Sequence, residues 1–357
     1  MLDKLRKDID KDLKGLLADI KKRYRLHEAS PLLFKGIKDF FLRKGKRIRP
    51  ALLITSYLGY TKRKNYSYKK LLRCSLSLEL LHNFMLVHDD VIDRSDLRRG
   101  KPTLHRLFNS MYGTAQKDEL GSHLSVVAGD IIFAMAIEVF LSLDENLSRK
   151  ERALKKFAET TAFTGAGEFL DVLEGRRNID KIKEKDVFLN YTLKTAKYTF
   201  EGPLLIGAIL AGAGKKELEK LSAIGLALGR AFQIQDDLLD MFSSSKETGK
   251  SVLSDLSESK KTLLVWKAYD ALGKKDRKEL KYFLEKDKKT HADLLKFRKL
   301  VKKSGAHLYC MDKIENLFRE ADSVCGELRM KPRSKKALKK FLRDFFSKTR
   351  ALKSKLD

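Results

Sequence analysis

Five prolines in 357 residues leave long stretches of chain free of the residue that most firmly interrupts a helix. Strand-like alternation of apolar and polar residues is scarce, and apolar residues recur instead at helical spacing, so the chain reads as all-α. Only three cysteines occur, Cys74, Cys310 and Cys325, without the spacing of a metal site and in an odd number. Reduced thiols in a cytoplasmic protein are the plain expectation. No apolar core of a signal peptide follows the N-terminal methionine, because charge begins at Asp3. The charge-free run Gly202 to Gly214 is too short to span a bilayer as a helix. Neither a Walker pattern nor a strand-bounded GxGxxG is found, which argues against a nucleotide cradle. No repeat period marks a solenoid.

What the chain has in excess is positive charge, a formal +28. Nucleic acid, an anionic membrane surface or polyanionic small substrates could each answer to it, as could a merely solvated helix face. The segment from Lys331 to Asp357 alone carries 11 Lys or Arg against two Asp. Its Phe341, Phe345 and Phe346 fall at helical spacing and suggest a core stripe, not a base-stacking platform.

Consecutive helices with short links are expected. Residues 1–30 carry Leu2, Leu5, Ile9, Leu13, Leu16, Leu17 and Ile20 on one side of a lead helix. Pro31 is placed to open the next, and Pro50 and Pro102 mark breaks or first turns. A long helix is expected over Tyr68–Asp93 and another over about Leu218–Phe242. Residues 270–305, polar and rich in lysine around Gly273 and Gly305, read as an exposed and less ordered region.

These two long helices carry an internal echo. Met85–Asp93 reads MLVHDDVID and Phe232–Asp240 reads FQIQDDLLD. Asp89 and Asp93 are one helical turn apart on one face, with Asp90 beside them. Like charges four residues apart destabilise a helix, and carboxylates among Phe84, Met85, Leu86, Val87, Val91 and Ile92 are costly unless paired or bound to a cation. The second copy repeats the problem with Asp236, Asp237 and Asp240. One such cluster alone would read as a solvated acidic patch. Two in apolar helices point to six carboxylates around one cavity, a set of hard oxygen ligands that suits Mg²⁺ shared with phosphates.

Cations stand near both clusters: Lys46, Arg47 and Arg49 in GKRIRP, Arg98 and Arg99 after the first cluster, Lys194 before Thr195, and Lys250, Lys260 and Lys261 after the second. His82 lies two turns before Asp89. Each alone is commonly surface charge. Together they favour a diphosphate site, arginine offering a fork and lysine a point charge to phosphate oxygens.

From Gly45 to about Arg350 the chain resembles the polyprenyl synthetase family, including archaeal-type geranylgeranyl diphosphate synthases. The resemblance rests on GKRIRP, ELLHNFMLVHDDVIDRSDLRRGKPT, AGD at Ala128–Asp130, GEFLD at Gly167–Asp171, KTAKYTF, FQIQDDLLD and GKSVLSDLSESKKT, in family order. It implies one synthase domain over residues 1–357, with core motifs in 45–262 and a basic helical part at 270–357. The implied fold is an antiparallel helical bundle around a central active-site cavity, of isoprenoid synthase type. It implies that Lys46, Arg49, His82 and Arg99 hold isopentenyl diphosphate. Asp89, Asp93 and Asp236, supported by Asp90, Asp237 and Asp240, would hold Mg²⁺, three ions with substrate bound and Mn²⁺ able to substitute. Arg98, Lys194, Lys250 and Lys260 would grip the allylic diphosphate (dimethylallyl, geranyl or farnesyl), and Thr195 and Gln233 would lie near the developing cation. Phe84 and Met85, five and four residues before Asp89 on the same helix, are candidates for the floor that sets chain length. Helical phase favours Met85, whereas the resemblance favours the aromatic Phe84 and implies a C20 product, with C15 or a longer chain as alternatives. The resemblance also suggests a homodimer. The positive charge leaves peripheral contact with an anionic membrane open, and no nucleic-acid partner is expected, since no module interleaving aromatic and basic residues is found. A non-catalytic partner subunit of the same fold is the competing reading, and the intact aspartate motifs argue against it. Three positions depart from the family's pattern: Leu253 and Ser259 replace loop glycines, and Glu168 stands where many members carry Gln.

Overall fold

The structure, a computed structural model, describes residues 2–113, 119–242 and 259–356. The chain divides into two compact units, Met1–Lys156 with Pro203–Ala213, and Phe157–Gly202 with Gly214–Asp357.

In the first unit, α1 (Leu2–Tyr24) is held by its apolar side. Leu5, Ile9, Leu13, Leu16, Leu17 and Ile20 are all buried, each contributing roughly 2 kcal/mol by removal from water. The helix stops where Arg25 turns left-handed, with φ 50°. After the single turn α2 (Leu26–Ala29), α3 (Pro31–Leu42) opens as its sequence asks. Pro31 sits in the first turn and the Ser30 hydroxyl accepts from the Leu33 amide at 3.2 Å. Then come α4 (Ile48–Tyr60) and the long α5 (Tyr68–Ile92), which Ser67 caps. A two-residue hairpin, β1 (Leu97–Arg98) and β2 (Lys101–Pro102), precedes α6 (Leu104–Tyr112) and α7 (Leu120–Phe140). It is the sole strand pairing among the described residues, a small addition to the all-helical expectation.

By length and composition α7 could cross a membrane. In this unit it packs along α5 and against α6. The approach to α5 is so close that a methyl group on Gly129 would overlap the His88 ring. The unit also takes the start of α8 (Leu147–Arg176) and most of α10 (Gly202–Ala211). The Ser56 hydroxyl of α4 donates to the Leu204 carbonyl of α10 at 2.7 Å.

The second unit continues α8 and adds a 3₁₀ turn (Ile179–Lys181), α9 (Glu184–Asn190) and a π-helical segment (Tyr191–Glu201). These are followed by α11 (Lys215–Phe242), α12 (Leu263–Ala271), α13 (Lys274–Glu285), α14 (His291–Lys303), α15 (Ala306–Glu327) and α16 (Pro332–Leu356). α11 lies between the π segment and α15. Methyl groups on Gly225 and Gly229 would overlap the backbone of Glu201 and Ala196, so these two glycines set how closely the π segment approaches.

Residues 270–305 differ from the sequence expectation. They form α13 and α14, whose Leu280, Phe283, Leu284, Leu294, Phe297, Leu300 and Val301 are buried in the unit's core. Lysines crowd the outer face of these short helices and mask the apolar stripe in a composition count. In α16 the aromatic stripe packs inward as expected. The Phe345 ring stacks 6.0 Å from Phe232, Phe341 lies 6.2 Å from Phe200, and Phe346 stacks 4.2 Å from Phe318.

Candidate active site

In the first unit, Asp89 and Asp90 occupy the last turn of α5 and Asp93 is its C-cap, with the Asp93 amide donating to the Asp89 carbonyl at 2.8 Å. Three carboxylates here face the negative end of the helix dipole, which adds to their mutual repulsion. Asp89 and Asp93 are half-buried and Asp90 is fully buried. Burial pushes the Asp90 carboxyl up to about 6, with Arg98 opposing that shift. Arg98 spans two aspartates, its Nε donating to Asp90 Oδ1 at 2.7 Å and its Nη2 to Asp89 Oδ2 at 2.9 Å. The second oxygen of Asp90 is buried without a hydrogen-bond partner.

The hairpin carries Arg98 to this position. Leu97 pairs with Pro102 and Arg98 with Lys101, leaving Arg99 and Gly100 as a two-residue turn with φ of 57° and 73°. Both positive values fit a turn whose twist matches the strands. Arg43, stacked 4.9 Å from the Phe40 ring, braces the hairpin through the carbonyls of Arg98 at 3.3 Å and Pro102 at 2.7 Å. Asp39 in turn holds Arg43 at 2.8 Å and Lys101 at 3.0 Å.

A group of cations surrounds His82. Burial first, then the charges of Arg49, Arg99, Arg98 and Arg47, hold its imidazole well below the usual histidine range, so it is neutral. Of the three cations in GKRIRP, Arg47 is buried against Glu79 and Asp10 and braces the fold. Lys46 is exposed and Arg49 half-buried. A Cβ on Gly45 would lie 3.3 Å from an Arg99 guanidinium nitrogen, so the start of this loop and the hairpin turn meet. The Phe84 ring packs, tilted, against His88 at 4.6 Å and Phe133 at 5.0 Å, and Met85 is half-buried beside it in sequence.

In the second unit the other aspartate motif has the same burial order. Asp236 and Asp240 are half-buried, and Asp237 is buried between them in sequence. Asp237 is pinned by Tyr191, whose hydroxyl donates to Oδ2, and by Gln233, whose Nε2 donates to Oδ1 at 2.9 Å. The Gln233 carbonyl oxygen accepts from the Thr195 hydroxyl at 2.6 Å. Tyr191 also accepts from the Leu263 amide at 2.7 Å. Burial beside the Asp237 charge drives the Tyr191 hydroxyl well above its ordinary range, so it stays a donor. Lys194 and Thr195 lie in the π segment, a rare geometry common at functional sites. Lys194 is paired with Asp171 at 2.6 Å and Glu168 at 3.0 Å. Lys260 is half-buried just before α12, and Lys250 lies outside the described residues.

Residues 30–301 match the family profile described as polyprenyl synthetase. The chain belongs to the polyprenyl synthetase family. Within that family it is 32% identical to a short chain isoprenyl diphosphate synthase of Methanocaldococcus jannaschii, over 76% of this chain and 74% of that one. It is 29% identical to a geranylgeranyl diphosphate synthase of Sulfolobus acidocaldarius, over 88% and 90% of the two chains. The fold matches a geranylgeranyl pyrophosphate synthase of Corynebacterium glutamicum, solved with isoprenyl diphosphate and magnesium, with a TM-score of 0.86. That match is 24% identical and covers 96% of this chain and 98% of that one.

Sequence reading of this polyprenyl synthetase missed the partners that pin its motif residues. Tyr191 carries no spacing signal, because its partner Asp237 lies on another element. Glu79 opens the ELLHNFMLVHDD motif, yet its pairing with Arg47 crosses from α5 to the start of α4. Asp39 and Arg43, an i,i+4 pair at the end of α3, stand out only once the hairpin they brace is in place. Asp171 stood within the quoted GEFLD, yet its pairing with Lys194 spans 23 positions.

Proposed function

We propose that the chain is a short-chain trans-prenyltransferase that condenses isopentenyl diphosphate with allylic diphosphates in the cytoplasm, making chiefly geranylgeranyl diphosphate (C20). The carrying observation is the shared design of the two aspartate motifs. In each, the first and last carboxylates are half-buried while the middle one is buried and pinned by its own partners, Arg98 or the Tyr191–Gln233 pair.

The donor set fits a divalent cation. It is all carboxylate, the hard oxygen chemistry Mg²⁺ takes, and the buried Asp90 has an oxygen with no protein partner. Asp89, Asp93 and Asp236 would hold Mg²⁺, three ions with substrate bound and Mn²⁺ substituting, with Asp90, Asp237 and Asp240 in support. Bound there, the metal would neutralise charge that develops on the departing diphosphate.

The protein's own groups do the rest. Arg98, Lys194, Lys250 and Lys260 grip the allylic diphosphate as its C–O bond breaks and the diphosphate leaves with the electron pair. Lys46, Arg49 and Arg99 bind isopentenyl diphosphate. His82 is already neutral and adds a hydrogen bond there, not a fixed charge. The double bond of isopentenyl diphosphate attacks the allylic carbon, a C–C bond forms, and the departed diphosphate takes the proton that is lost. Hydrogen-bonded Thr195 and Gln233 present fixed oxygen dipoles to the developing cation. Phe84 and Met85 close the chain's pocket. Residues 1–357 act as one synthase domain and the enzyme is a homodimer. The basic face of α16 gives it peripheral contact with anionic membrane, and three buried unpaired cysteines suit a reducing cytoplasm.

Steady-state kinetics test the assignment of the two diphosphates. Arg49→Ala and His82→Ala are expected to raise KM for isopentenyl diphosphate, and Lys194→Ala and Lys260→Ala that for the allylic substrate. The reverse pattern would show the two groups to be misassigned.

A further inference from the structure

Ser259 stands where the family's loop carries glycine, and its backbone explains why glycine suits the place. Its φ is 54°, the left-handed region, which is unfavourable for a residue with a side chain and open to glycine. The serine hydroxyl is engaged twice. It donates to the Leu284 carbonyl at the end of α13 at 2.6 Å, and it accepts from the Lys289 ammonium at 2.8 Å. Lys289 belongs to the link between α13 and α14, 30 positions along the chain. It is partly buried, and that burial holds its ammonium below the usual lysine range.

Residues on the other side of Lys260 are fixed as well. Lys261 donates to the Gly175 carbonyl in the last turn of α8 at 2.7 Å, where the helix dipole favours a cation. The Leu263 amide donates to Tyr191. Positions 259, 261 and 263 are thus each anchored to a different element, and Lys260 is carried between anchored neighbours.

We propose that Lys289 is a positioning residue that, through the Ser259 hydroxyl, fixes the backbone carrying Lys260 and so sets the enzyme's hold on the allylic diphosphate. Where a glycine would leave this strand of loop free to choose its posture, the Lys289–Ser259–Leu284 chain holds it in one. The ordering entropy is then met on folding and not on substrate binding. The inference rests on the proposed role of Lys260 in the prenyltransferase reaction. Nothing in it requires Lys289 to touch substrate.

The test is a double-mutant cycle in the full chain with Mg²⁺, isopentenyl diphosphate and farnesyl diphosphate. Lys289→Met is expected to raise KM for farnesyl diphosphate about five- to tenfold, the scale of one ordinary hydrogen bond, with KM for isopentenyl diphosphate unchanged. Ser259→Gly should do the same, and the double variant should be no worse than either single one. Lys289→Arg, which keeps a donor, should restore KM to within about twofold of wild type. An unchanged KM in Lys289→Met overturns the proposal. So do effects that multiply in the double variant, which would place Lys289 on the substrate itself. If Lys289→Met fails to fold by circular dichroism, Ser259→Ala carries the same comparison. Wild-type turnover in the same assay separates the two claims: its absence with every allylic primer sinks the reaction assignment, whereas normal wild-type kinetics with insensitive variants sinks only the role of Lys289.

Discussion

Arg98 has a structural duty before any catalytic one. It meets Asp89 and Asp90 at hydrogen-bond distance, and Asp90 is buried. Removing one partner of a buried ion pair leaves an uncompensated charge, at a cost of about 3–5 kcal/mol. Arg98→Met is expected to lose stability on that scale in urea unfolding, and Asp90→Asn/Arg98→Met to regain most of it. A single variant as stable as wild type would show that Asp90 does not depend on Arg98. At Phe84 the expectation concerns product. Its ring packs on His88 and Phe133, so Phe84→Ala opens space and should yield chains longer than the wild-type product on chromatography after dephosphorylation. Unchanged length in both Phe84→Ala and Phe84→Ala/Met85→Ala would place the floor elsewhere. The aspartates were legible in the sequence because a carboxylate among apolar neighbours is an energetic anomaly that needs no third dimension to notice. Tyr191 and Lys289 were not, because a tyrosine in a mixed helical segment or a lysine in a lysine-rich link is anomalous only once its distant partner is known.

Helix boundaries followed local chemistry closely. α5 runs from its Ser67 cap to Asp93 as its freedom from Gly and Pro implied, and Pro31 opens α3. What the sequence hid at this scale was packing that overrides composition, as in α13 and α14, and the π geometry of Tyr191–Glu201, which has no periodic signature of its own. That segment depends on Gly229, because any side chain there meets the Ala196 backbone. Gly229→Val is expected to cost about 3 kcal/mol, the upper end for overpacking, in a place that cannot shift cheaply, with loss of turnover as Lys194 and Thr195 are displaced. A folded, fully active Gly229→Val would show that the segment tolerates separation from α11. In α6, His105 is buried and held near a pKa of about 4, first by burial and then by Arg106, with Asp96 opposing. Its folded pKa lies below the free value of 6.5, so its contribution to stability is present above pH 6.5 and lost as pH falls towards 4. The loss is on the order of 3 kcal/mol. His105→Gln should therefore show a flatter stability profile than wild type across that window, by thermal melting. Parallel profiles would show that His105 does not drive the acid response.

For the whole molecule, charge is the property that composition announces and explains least. The net charge is +28, and part of the positive charge is drawn into the fold by pairs such as Arg47–Glu79 and Arg73–Asp12. Family membership, the all-helical fold and the order of the motifs were legible from end to end, since they reside in local residue patterns. The two compact units were not, because the first includes a short later piece of chain, Pro203–Ala213, that no composition shift marks. The most direct measurement supplies radiolabelled isopentenyl diphosphate with C5, C10 and C15 allylic primers, in Mg²⁺ and in excess chelator. The account predicts elongation of the primers to a C20 diphosphate in Mg²⁺ and none in chelator. Full turnover in chelator, or no elongation of any primer by folded protein, would contradict it.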